Sequence, residues 1–256
     1  METLNKSMIP RFYCPFPLHP SLHPGGMVEL PVEAAHHALK VLRVGVGETA
    51  ILFDGRGGQW TARLEPAGKR LHAILEAFDD VNRESQLAVT LLQCLPAADK
   101  MDFVVQKTVE LGVAAIQPLA AKRSVLKLSG ERMERRVAHW NSVAISACEQ
   151  SGRNKLPPVA QIFDLPQYLG AKNAQNGLRL IALPQGGKSL REMAPPAADN
   201  NVVSILIGPE GGFEDGELKA ASVAGFVPVS LGPRVLRTET AGPAALAALM
   251  SLWGDF

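Results

Sequence analysis

The sequence has few cysteines and no long apolar run. Its three cysteines, Cys14, Cys94 and Cys148, stand far apart and show no metal-ligand spacing. We therefore expect free thiols in a reducing compartment, and neither a disulfide framework nor a metal centre. No apolar segment approaches the ~20 residues that a membrane-spanning helix requires. These absences favour a soluble globular protein.

A charge excess of one sign is also missing. Lysine and arginine total 26 against 25 acidic residues, so the formal net charge is +1. This balance excludes a uniformly basic nucleic-acid binder, and any affinity for RNA must come from local patches. Residues 1–7 are polar, and Pro10, Pro15 and Pro17 interrupt the adjoining segment. That pattern is not a secretory signal peptide, and it predicts a disordered N-terminal extension on a cytoplasmic protein.

The chemistry concentrates near the C-terminus. Two apolar, β-branched runs, Val202–Ile207 and Phe226–Leu231, each end in a Gly-Pro turn that leads towards a helix start. The first helix is predicted over Glu214–Ala224. This arrangement is a β-loop-α-β-loop-α unit, and in open α/β sheets ligands bind at the carboxyl ends of such strands.

The first loop, Gly208–Phe213, is rich in glycine, which usually suggests a bound phosphate. However, it carries Glu210, and Glu214 and Asp215 open the following helix. A carboxylate about 4 Å from a phosphate costs on the order of 4 kcal/mol per charge at an effective dielectric near 20. The loop therefore favours a phosphate-free ligand with hydroxyls, an amine or a positive charge. A tight turn before a favourably charged helix N-terminus is the alternative.

The second loop, Gly232–Arg237, opens with a sharp Gly-Pro turn and carries two arginines. Thr238 suits the N-cap of an Ala-rich helix that we predict over Thr240–Trp253, with a proline unusually far inside it. Arg237 and Glu239 meet at this junction between loop and helix. They form either an ordinary surface ion pair, worth ~0–1 kcal/mol, or part of a functional site.

The first third of the chain is punctuated by proline and glycine and rich in alternating polar and apolar residues. Residues 8–78 predict a small β-barrel with a glycine-rich hairpin turn at Asp54–Gly58 and one helix over Pro31–Leu42. Residues 79–86 are polar and aperiodic, which indicates a linker. The predicted strands of the barrel are Val28–Pro31, Glu48–Phe53, Gln59–Leu64 and His72–Phe78.

From residue 87 onward, apolar strands alternate with helices, which predicts an α/β domain over 87–256. The run Leu87–Leu95 is typical of a strand buried on both faces. A helix over Met101–Leu111 stops at Gly112, and the strand Ala114–Leu119 comes next. Further along, Leu178–Leu183 is predicted as a strand. No internal repeats or low-complexity tracts occur.

Three local patterns are candidates for contacts with nucleic acid. Lys122–Arg136 holds six basic and two acidic residues, and it is either a solvated helix face or a phosphate-binding surface. Arg11 to Tyr13 combine a cation with two aromatics, which suit stacking on unpaired bases but equally a core beside a solvated arginine. His36 and His37 point about 100° apart on a helix, so they are a poor joint metal site, and one of them is expected to pack.

Several of these segments resemble the RsmE-type methyltransferases of the SPOUT superfamily. The two C-terminal loops, Ile207–Phe213 and Leu231–Ala241, resemble the signature loops of that family. Similar blocks occur in the same order along the chain from Met8 onward, including 9–13, 35–43, 53–58, 99–102, 107–112, 123–125 and 149–153.

The resemblance implies a C-terminal SPOUT α/β domain with a deep trefoil knot, preceded by a PUA-like RNA-binding β-barrel. It implies methylation of N(3) of a uridine in 16S ribosomal RNA with S-adenosylmethionine as the methyl donor. The RNA would be either free or part of an assembled small subunit. A homodimer is expected, because the superfamily builds each site where two subunits meet. No metal is implied.

The chemistry that the implied reaction requires, together with the matching segments, gives hypotheses for the roles of single residues. Arg237 is expected to stabilise negative charge on the uracil oxygen, and Glu239 and Glu149 are the candidate general bases. The candidate cofactor-binding residues are Leu183, Ile207, Gly208, Pro209, Glu210, Gly211, Leu231, Gly232, Arg234, Val235, Leu236 and Thr240. The candidate RNA-binding residues are Arg11, Tyr13, His37, Arg43, Lys100, Arg123 and Arg153.

Three other functions stay open at this point. Related SPOUT enzymes methylate a ribose 2′-hydroxyl. A non-catalytic assembly factor could use the barrel and the basic helix to bind RNA and keep the knot as a scaffold. An enzyme acting on nucleotide phosphates is disfavoured by Glu210 and by the absence of a P-loop lysine.

Overall fold

The computed structural model describes residues 9–19, 21–45, 47–67, 70–97, 100–124, 130–171, 177–197 and 199–256. The predicted extension, residues 1–7, lies outside this part, as do Asp99 and Val125 of the motifs.

The chain forms two compact units. The N-terminal unit comprises the chain up to Glu84 together with Cys148–Leu156, and the C-terminal unit comprises Ser85–Ala147 and Pro157–Phe256. The first boundary falls within the predicted linker, residues 79–86. Cys148–Leu156, which we predicted to belong to the C-terminal domain, clusters instead with the N-terminal unit.

The N-terminal unit is built on a five-stranded sheet in the order β1-β3-β4-β5-β2, in which only β1 and β3 run parallel. Within the described ranges, no hydrogen-bonded pairing joins the two edge strands β1 and β2. The sheet of the predicted barrel is therefore not closed between these two strands. The four predicted strands are confirmed, and the three-residue β1 is an addition. The strands are β1 (Arg11–Tyr13), β2 (Met27–Glu29), β3 (Thr49–Phe53), β4 (Gln59–Ala67) and β5 (Arg70–Asp79).

One helical segment joins β2 to β3. Helix α1 spans Val32–His36 and continues as a π-helical turn over His37–Val41, which together match the predicted helix. The sheet encloses a core that includes Phe12 and Trp60, exposed by 0% and 1%. Short strands can build this core because alternate residues of each strand point inward.

Cys148–Leu156 joins the N-terminal unit through buried polar contacts. The Arg11 guanidinium donates to the side chains of Asn154 and of Gln59, the latter at 2.9 Å. The Leu156 N–H donates to the Gly55 carbonyl at 3.0 Å, next to the glycine-rich hairpin turn. Because buried backbone and amide groups need partners, these bonds fix the segment against the sheet.

The C-terminal unit contains a seven-stranded, fully parallel sheet in the order β10-β12-β9-β11-β6-β7-β8. Its central strands β9, β11 and β6 are mostly apolar, as is typical of parallel strands covered on both faces, although β6 also carries the buried Gln93. The strands are β6 (Ala88–Cys94), β7 (Ala115–Ala120), β8 (Phe163–Asp164), β9 (Leu178–Ala182), β10 (Lys188–Ser189), β11 (Val202–Ile207) and β12 (Val227–Ser230).

Five helices accompany this sheet, and none of the helices in the described ranges is long and apolar enough to cross a membrane. A 3-10 turn at Leu190–Glu192 lies between β10 and β11. The helices are α2 (Lys100–Glu110), α3 (Glu131–Ser151), α4 (Leu165–Gly170), α5 (Asp215–Val223) and α6 (Thr238–Trp253).

Two expectations about helices differ from the structure: that Lys122–Arg136 could form a helix face, and that Thr238 is the N-cap of the last helix. Helix α3 begins only at Glu131, and the Ser124 N–H donates to the Ala121 carbonyl in a turn, so the front of the basic run is not helical. Thr238 is not the N-cap of α6, because it is already the first helical residue and Arg237 occupies the cap. The hydroxyl of Thr238 instead donates to the Gly208 carbonyl and accepts from the side-chain amide of Gln93.

Candidate functional site

A pocket of about 600 Å³ opens at the carboxyl ends of β9, β11 and β12, which are neighbours in the parallel sheet. Its size lies within the ~300–1,000 Å³ that small-molecule sites occupy. The lining residues are Lys100, Ala182, Leu183, Pro184, Gln185, Ile207, Gly208, Pro209, Glu210, Gly212, Phe213, Leu218, Leu231, Gly232, Arg234, Val235, Leu236, Arg237, Thr238 and Ala241.

Two glycines allow the loops to take their course along the pocket. A Cβ at Gly208 would lie 2.9 Å from the Phe213 ring, so only glycine lets that ring close over the strand end. Gly232 has φ +109°, a conformation that side chains rarely adopt. Both residues therefore keep the main chain accessible where a ligand approaches.

Glu210 is held in place at the tip of the first loop. Its carboxylate accepts hydrogen bonds from the Ala97 N–H at 3.0 Å and from the Lys100 ammonium at 3.2 Å. Burial by itself raises the pKa of Glu210, but the backbone N–H groups of Ala97 and of Glu210 itself, together with the Lys100 ammonium, outweigh it, and the pKa lies below the ordinary 4.5. Because Lys100 pairs with it, Glu210 repels a phosphate less than the sequence argument assumed.

A buried polar chain ties the second loop to the first. The Thr238 hydroxyl donates to the Gly208 carbonyl at 2.6 Å, and it accepts from the side-chain amide of Gln93 on β6 at 3.0 Å. Gln93 is fully buried in the sheet. The start of α6 and the end of β11 are therefore fixed to each other and to strand β6.

Lys100 links the first loop to the start of α6 through its ammonium. Its Nζ lies 3.2 Å from Glu210 and 3.3 Å from Glu239 in the first turn of α6. The hydrogen bond to Glu210 is the main reason that the pKa of Lys100 is raised, and Glu239 adds to it. We expected Lys100 to contact RNA from a surface, whereas the structure places it in the pocket wall between two carboxylates.

Ten of the twelve predicted cofactor-binding residues line the pocket. Gly211 and Thr240 do not, and Gly211 instead abuts Arg123, whose guanidinium donates to its carbonyl at 3.0 Å. Sequence reasoning did not assign to the pocket Phe213, the last residue of the first loop, or Leu218, which lies in helix α5. It also left out Gln185, which lies shortly after β9. That position could have indicated it, because ligands in open α/β sheets bind at the carboxyl ends of the strands.

Of the three predicted catalytic residues, one lines the pocket. Arg237 is exposed and lines the pocket. Glu239 contacts the ammonium of Lys100 and is not part of the lining. Glu149 belongs to the N-terminal unit, where its carboxylate accepts the Tyr13 N–H at 3.0 Å. Burial raises the pKa of Glu149 in spite of that hydrogen bond.

Two of the predicted RNA-binding cations, Arg153 and Arg11, are bound by partners within the N-terminal unit, and their role with RNA stays a prediction. The Arg153 side chain is 6% exposed and forms an ion pair with Glu84, so it supports the N-terminal unit from inside. The Arg11 guanidinium is bound by Gln59 and Asn154 and lies 5.1 Å from the centre of the Phe53 ring. The partners of both cations lie far away in the sequence: a carboxylate for Arg153, and two side-chain amides and an aromatic ring for Arg11.

The other RNA candidates remain predictions. The rings of Tyr13 and Phe53 lie 5.8 Å apart, and His37 makes an edge contact with Phe12 at 6.4 Å, so His37 packs while His36 is exposed. Arg43 is exposed at φ +54°, and Arg123 is exposed beside the pocket loop. Within the described ranges, no three His, Cys, Asp or Glu side chains are grouped as metal ligands.

Comparison with known proteins identifies the family. Residues 83–250 match a family described as "RNA methyltransferase domain", and residues 30–76 match one described as "RNA methyltransferase PUA domain". Over 88% of this chain and 73% of the relative, the sequence is 35% identical to ribosomal RNA small subunit methyltransferase E of Synechocystis. This chain belongs to the ribosomal RNA small subunit methyltransferase E family.

Solved structures of similar proteins extend this result. A protein from Legionella pneumophila described as a methyltransferase, in complex with the cofactor SAM, is 39% identical with a TM-score of 0.90. Ribosomal RNA small subunit methyltransferase E of Neisseria gonorrhoeae, bound to S-adenosyl methionine, is 42% identical with a TM-score of 0.87. Each comparison covers 97% of this chain and 100% of the other. Membership of the methyltransferase E family therefore concerns both units of the chain.

Proposed function

We propose that the chain binds S-adenosylmethionine in the pocket at the ends of β9, β11 and β12 and methylates N(3) of a uridine in 16S ribosomal RNA. The observation that carries this proposal is the pocket itself, which is built from the two motif loops. The Legionella and Neisseria relatives, similar over 97% of the chain, hold this cofactor. A ribosomal substrate would place the protein in the cytoplasm.

The pocket suits the cofactor in two ways. Leu183, Ile207, Phe213 and Leu231 supply an apolar surface on which an adenine ring can pack. The two glycine loops bring backbone groups close enough to recognise the ring edge and the ribose. Methyl transfer from a sulfonium is an in-line displacement, so the protein's main task is to align the donor with the acceptor.

Transfer to N(3) requires that the neutral uracil lose a proton. General-base assistance contributes typically 10²–10⁴-fold, and a nearby cation makes the proton easier to remove. Arg237 lines the pocket and is suited to stabilise charge on a uracil oxygen. Glu239 and Glu149 remain the carboxylates to test as bases, although neither lines the pocket.

We also propose that the C-terminal unit contains the trefoil knot of the superfamily. The route of the chain supports this. Strand β12 pairs with β9, yet the following helix α6 packs against α2, β6 and β11 and against the turn at Leu190–Glu192. The second loop must therefore cross the ends of β9 and β11, beside the connection between those two strands.

A homodimer is part of the proposal. Val235 on the second loop is 74% exposed at the pocket, as a residue covered by a second subunit would be. Light scattering at micromolar concentration should give the mass of a dimer. A monomer with full activity would contradict this expectation.

Binding and product should be measured separately. Calorimetry should show binding of S-adenosylmethionine to the protein alone, which a non-catalytic assembly factor need not show. Methylation of intact small subunits and of naked ribosomal RNA should then be compared, and the product nucleoside identified by mass spectrometry. A 2′-O-methyl nucleoside would overturn the assignment to N(3), and a nucleoside triphosphate in place of the cofactor would overturn the function.

The Arg237→Ala variant tests the role of the arginine. We expect kcat to fall roughly 100-fold, which is the typical cost of removing one charge-stabilising donor, with cofactor affinity unchanged. If Arg237→Ala and Glu239→Ala both retained the wild-type kcat with unchanged affinity, the roles proposed for these residues would be wrong.

A further inference from the structure

The ammonium of Lys100 is placed between two carboxylates at the wall of the pocket. It is the first residue of α2, and its Nζ contacts Oε1 of Glu210 and Oε1 of Glu239. An ammonium has three N–H donors, so these two contacts leave one for a ligand. The carboxylates keep Lys100 charged and fix a side chain that would otherwise be flexible.

Glu239 is placed to act through Lys100. Its side chain is 16% exposed, and its second oxygen, Oε2, is enclosed and has no donor among the described residues. A substrate in the pocket meets Lys100 first. Of the described residues that line the pocket, Glu210 carries the only carboxylate, and it is already bound by Ala97 and Lys100.

The charges around the pocket favour an anion. Three cations, Lys100, Arg234 and Arg237, line it, whereas Glu210 and Glu239 bring two negative charges. The sulfonium of the cofactor adds another positive charge. Such a site assists the reaction by stabilising a deprotonated base, because positioned cations favour the negative charge that develops beside them.

We propose that Lys100 is a catalytic residue whose ammonium, held by Glu210 and Glu239, donates its remaining N–H to a carbonyl oxygen of the target uracil and stabilises the uracil anion. This inference rests on the proposed function. In this proposal Glu239 is a positioning residue, because it holds the ammonium of Lys100.

The step balances without a carboxylate base. The N(3)–H bond breaks and its proton passes to water, while the electron pair stays on the uracil and its charge spreads to the carbonyl oxygens. The N(3) lone pair then forms a bond to the methyl carbon as the carbon–sulfur bond breaks. The electron pair of that bond goes to sulfur, which becomes a neutral thioether. Lys100 keeps its proton throughout.

The test uses Lys100→Met, which removes the charge, and Lys100→Arg, which keeps it. Lys107→Met is the matched control, since Lys107 lies on the same helix in an ion pair with Glu110 and does not line the pocket. Cofactor affinity is measured by calorimetry. Single-turnover methylation is measured at saturating cofactor from about pH 6 to about pH 10, a range that brackets the titration of the bound base.

We expect Lys100→Met to lower the single-turnover rate at neutral pH roughly 100-fold while cofactor affinity changes by no more than about threefold. Removing the cation raises the pKa of the bound uracil, so the rate of the variant should continue to rise at a pH where the wild type has reached its plateau. The difference between the two should shrink with increasing pH. Lys100→Arg should recover part of the rate, and Lys107→Met should match the wild type.

The positioning role of Glu239 has its own readout. Glu239→Gln keeps the side-chain shape but weakens the hold on Lys100, so we expect a smaller loss of rate than in Lys100→Met and a pH profile shifted in the same direction. Combined with Lys100→Met, it should cause little further loss, because both changes act through one ammonium. A full additional loss would show that Glu239 acts by itself, as a base.

Two results would overturn the proposal. One is a Lys100→Met variant with the wild-type rate and pH profile. The other is a variant that loses cofactor affinity but methylates normally at saturating cofactor, which would make Lys100 part of the cofactor site only. Failure of the proposed function looks different, because the wild-type protein itself would then give no N(3)-methyluridine.

Discussion

The hydroxyl of Thr238 donates a 2.6 Å hydrogen bond to the carbonyl oxygen of Gly208, which joins the two loops of the pocket. Because Gln93 donates to the same hydroxyl from within the sheet, the position of both loops depends on one oxygen atom.

Replacing Thr238 with valine should therefore weaken cofactor binding. The variant keeps the branched shape but leaves the Gly208 carbonyl and one Gln93 N–H without a partner, which costs about 1–3 kcal/mol. We expect roughly tenfold weaker binding in calorimetry and a lower melting temperature. Thr238→Ser retains the hydroxyl and should behave nearly as the wild type. Equal affinity in the valine and serine variants would show that the bond does not position the loops.

Gly242→Ala should destabilise the C-terminal unit. A Cβ there would lie 2.9 Å from Oε1 of Gln93 and 3.4 Å from Leu91, both buried in β6, and overpacking of this kind costs about 1–3 kcal/mol. Gly216→Ala is the matched control, because a Cβ there meets nothing within 4 Å in helix α5, and it should stabilise by about 0.4–1 kcal/mol. Urea denaturation measures both. The same sign for the two variants would contradict the packing argument.

Arg153→Met should reduce stability rather than RNA affinity. It leaves the Glu84 carboxylate, whose side chain is 17% exposed, without its ion-pair partner, and losing one partner of a buried pair costs about 3–5 kcal/mol. Arg135→Met breaks the Arg135–Glu131 pair, whose side chains are 80% and 81% exposed, and should change stability by less than about 1 kcal/mol. A stable Arg153→Met protein that binds RNA less well would restore the surface role that the sequence suggested.

The cysteines should be unreactive in the folded protein. All three are free and buried, and burial raises the pKa of Cys14 and of Cys148 to about 12 and that of Cys94 well above its usual value. Since the thiolate is the reactive form, a colorimetric disulfide reagent at about pH 8 should label no thiol before denaturation and all three afterwards. Rapid labelling of the native protein would mean that one of these sites opens readily.

Glu149 should make stability depend on pH. Its folded-state pKa is raised above the ordinary 4.5, chiefly by burial, so the folded protein binds this proton more tightly than the unfolded chain does. That contribution is fully present below about pH 4.5 and is lost as the pH rises through the folded value. Relative to Glu149→Gln, which still accepts the Tyr13 N–H, the wild type should therefore lose stability between about pH 4 and about pH 7. Parallel denaturation curves at the two pH values provide the measurement.

Local patterns predicted most of the C-terminal unit. Strand β11 was predicted with its observed bounds, because six consecutive apolar or small residues before a Gly-Pro turn leave few alternatives. Ten of the predicted pocket residues came from the strand ends and the two loops after β11 and β12. The proposed knot was predicted only through the resemblance, since short-range periodicity carries no information about threading.

Side-chain partners were beyond local reasoning. Lys100, Arg11 and Arg153 look alike in the sequence as available cations, but folding brings each beside a partner from a distant segment. The sequence separation is 110 residues for Lys100 and Glu210, and 69 for Arg153 and Glu84. Thr238 was misplaced for a related reason, because its hydroxyl serves Gly208 rather than the backbone of its own helix.

The membership of Cys148–Leu156 in the N-terminal unit bears on how the chain can be divided. A fragment that stopped at Glu84 would retain the whole five-stranded sheet but lack Asn154 and Arg153, so the guanidinium of Arg11 would lose one of its two side-chain acceptors and the carboxylate of Glu84 would lose its ion-pair partner. Neither unit is a continuous piece of the polypeptide, so neither can be swapped as a cassette. Transplanting the sheet to another protein would require grafting two separate stretches together.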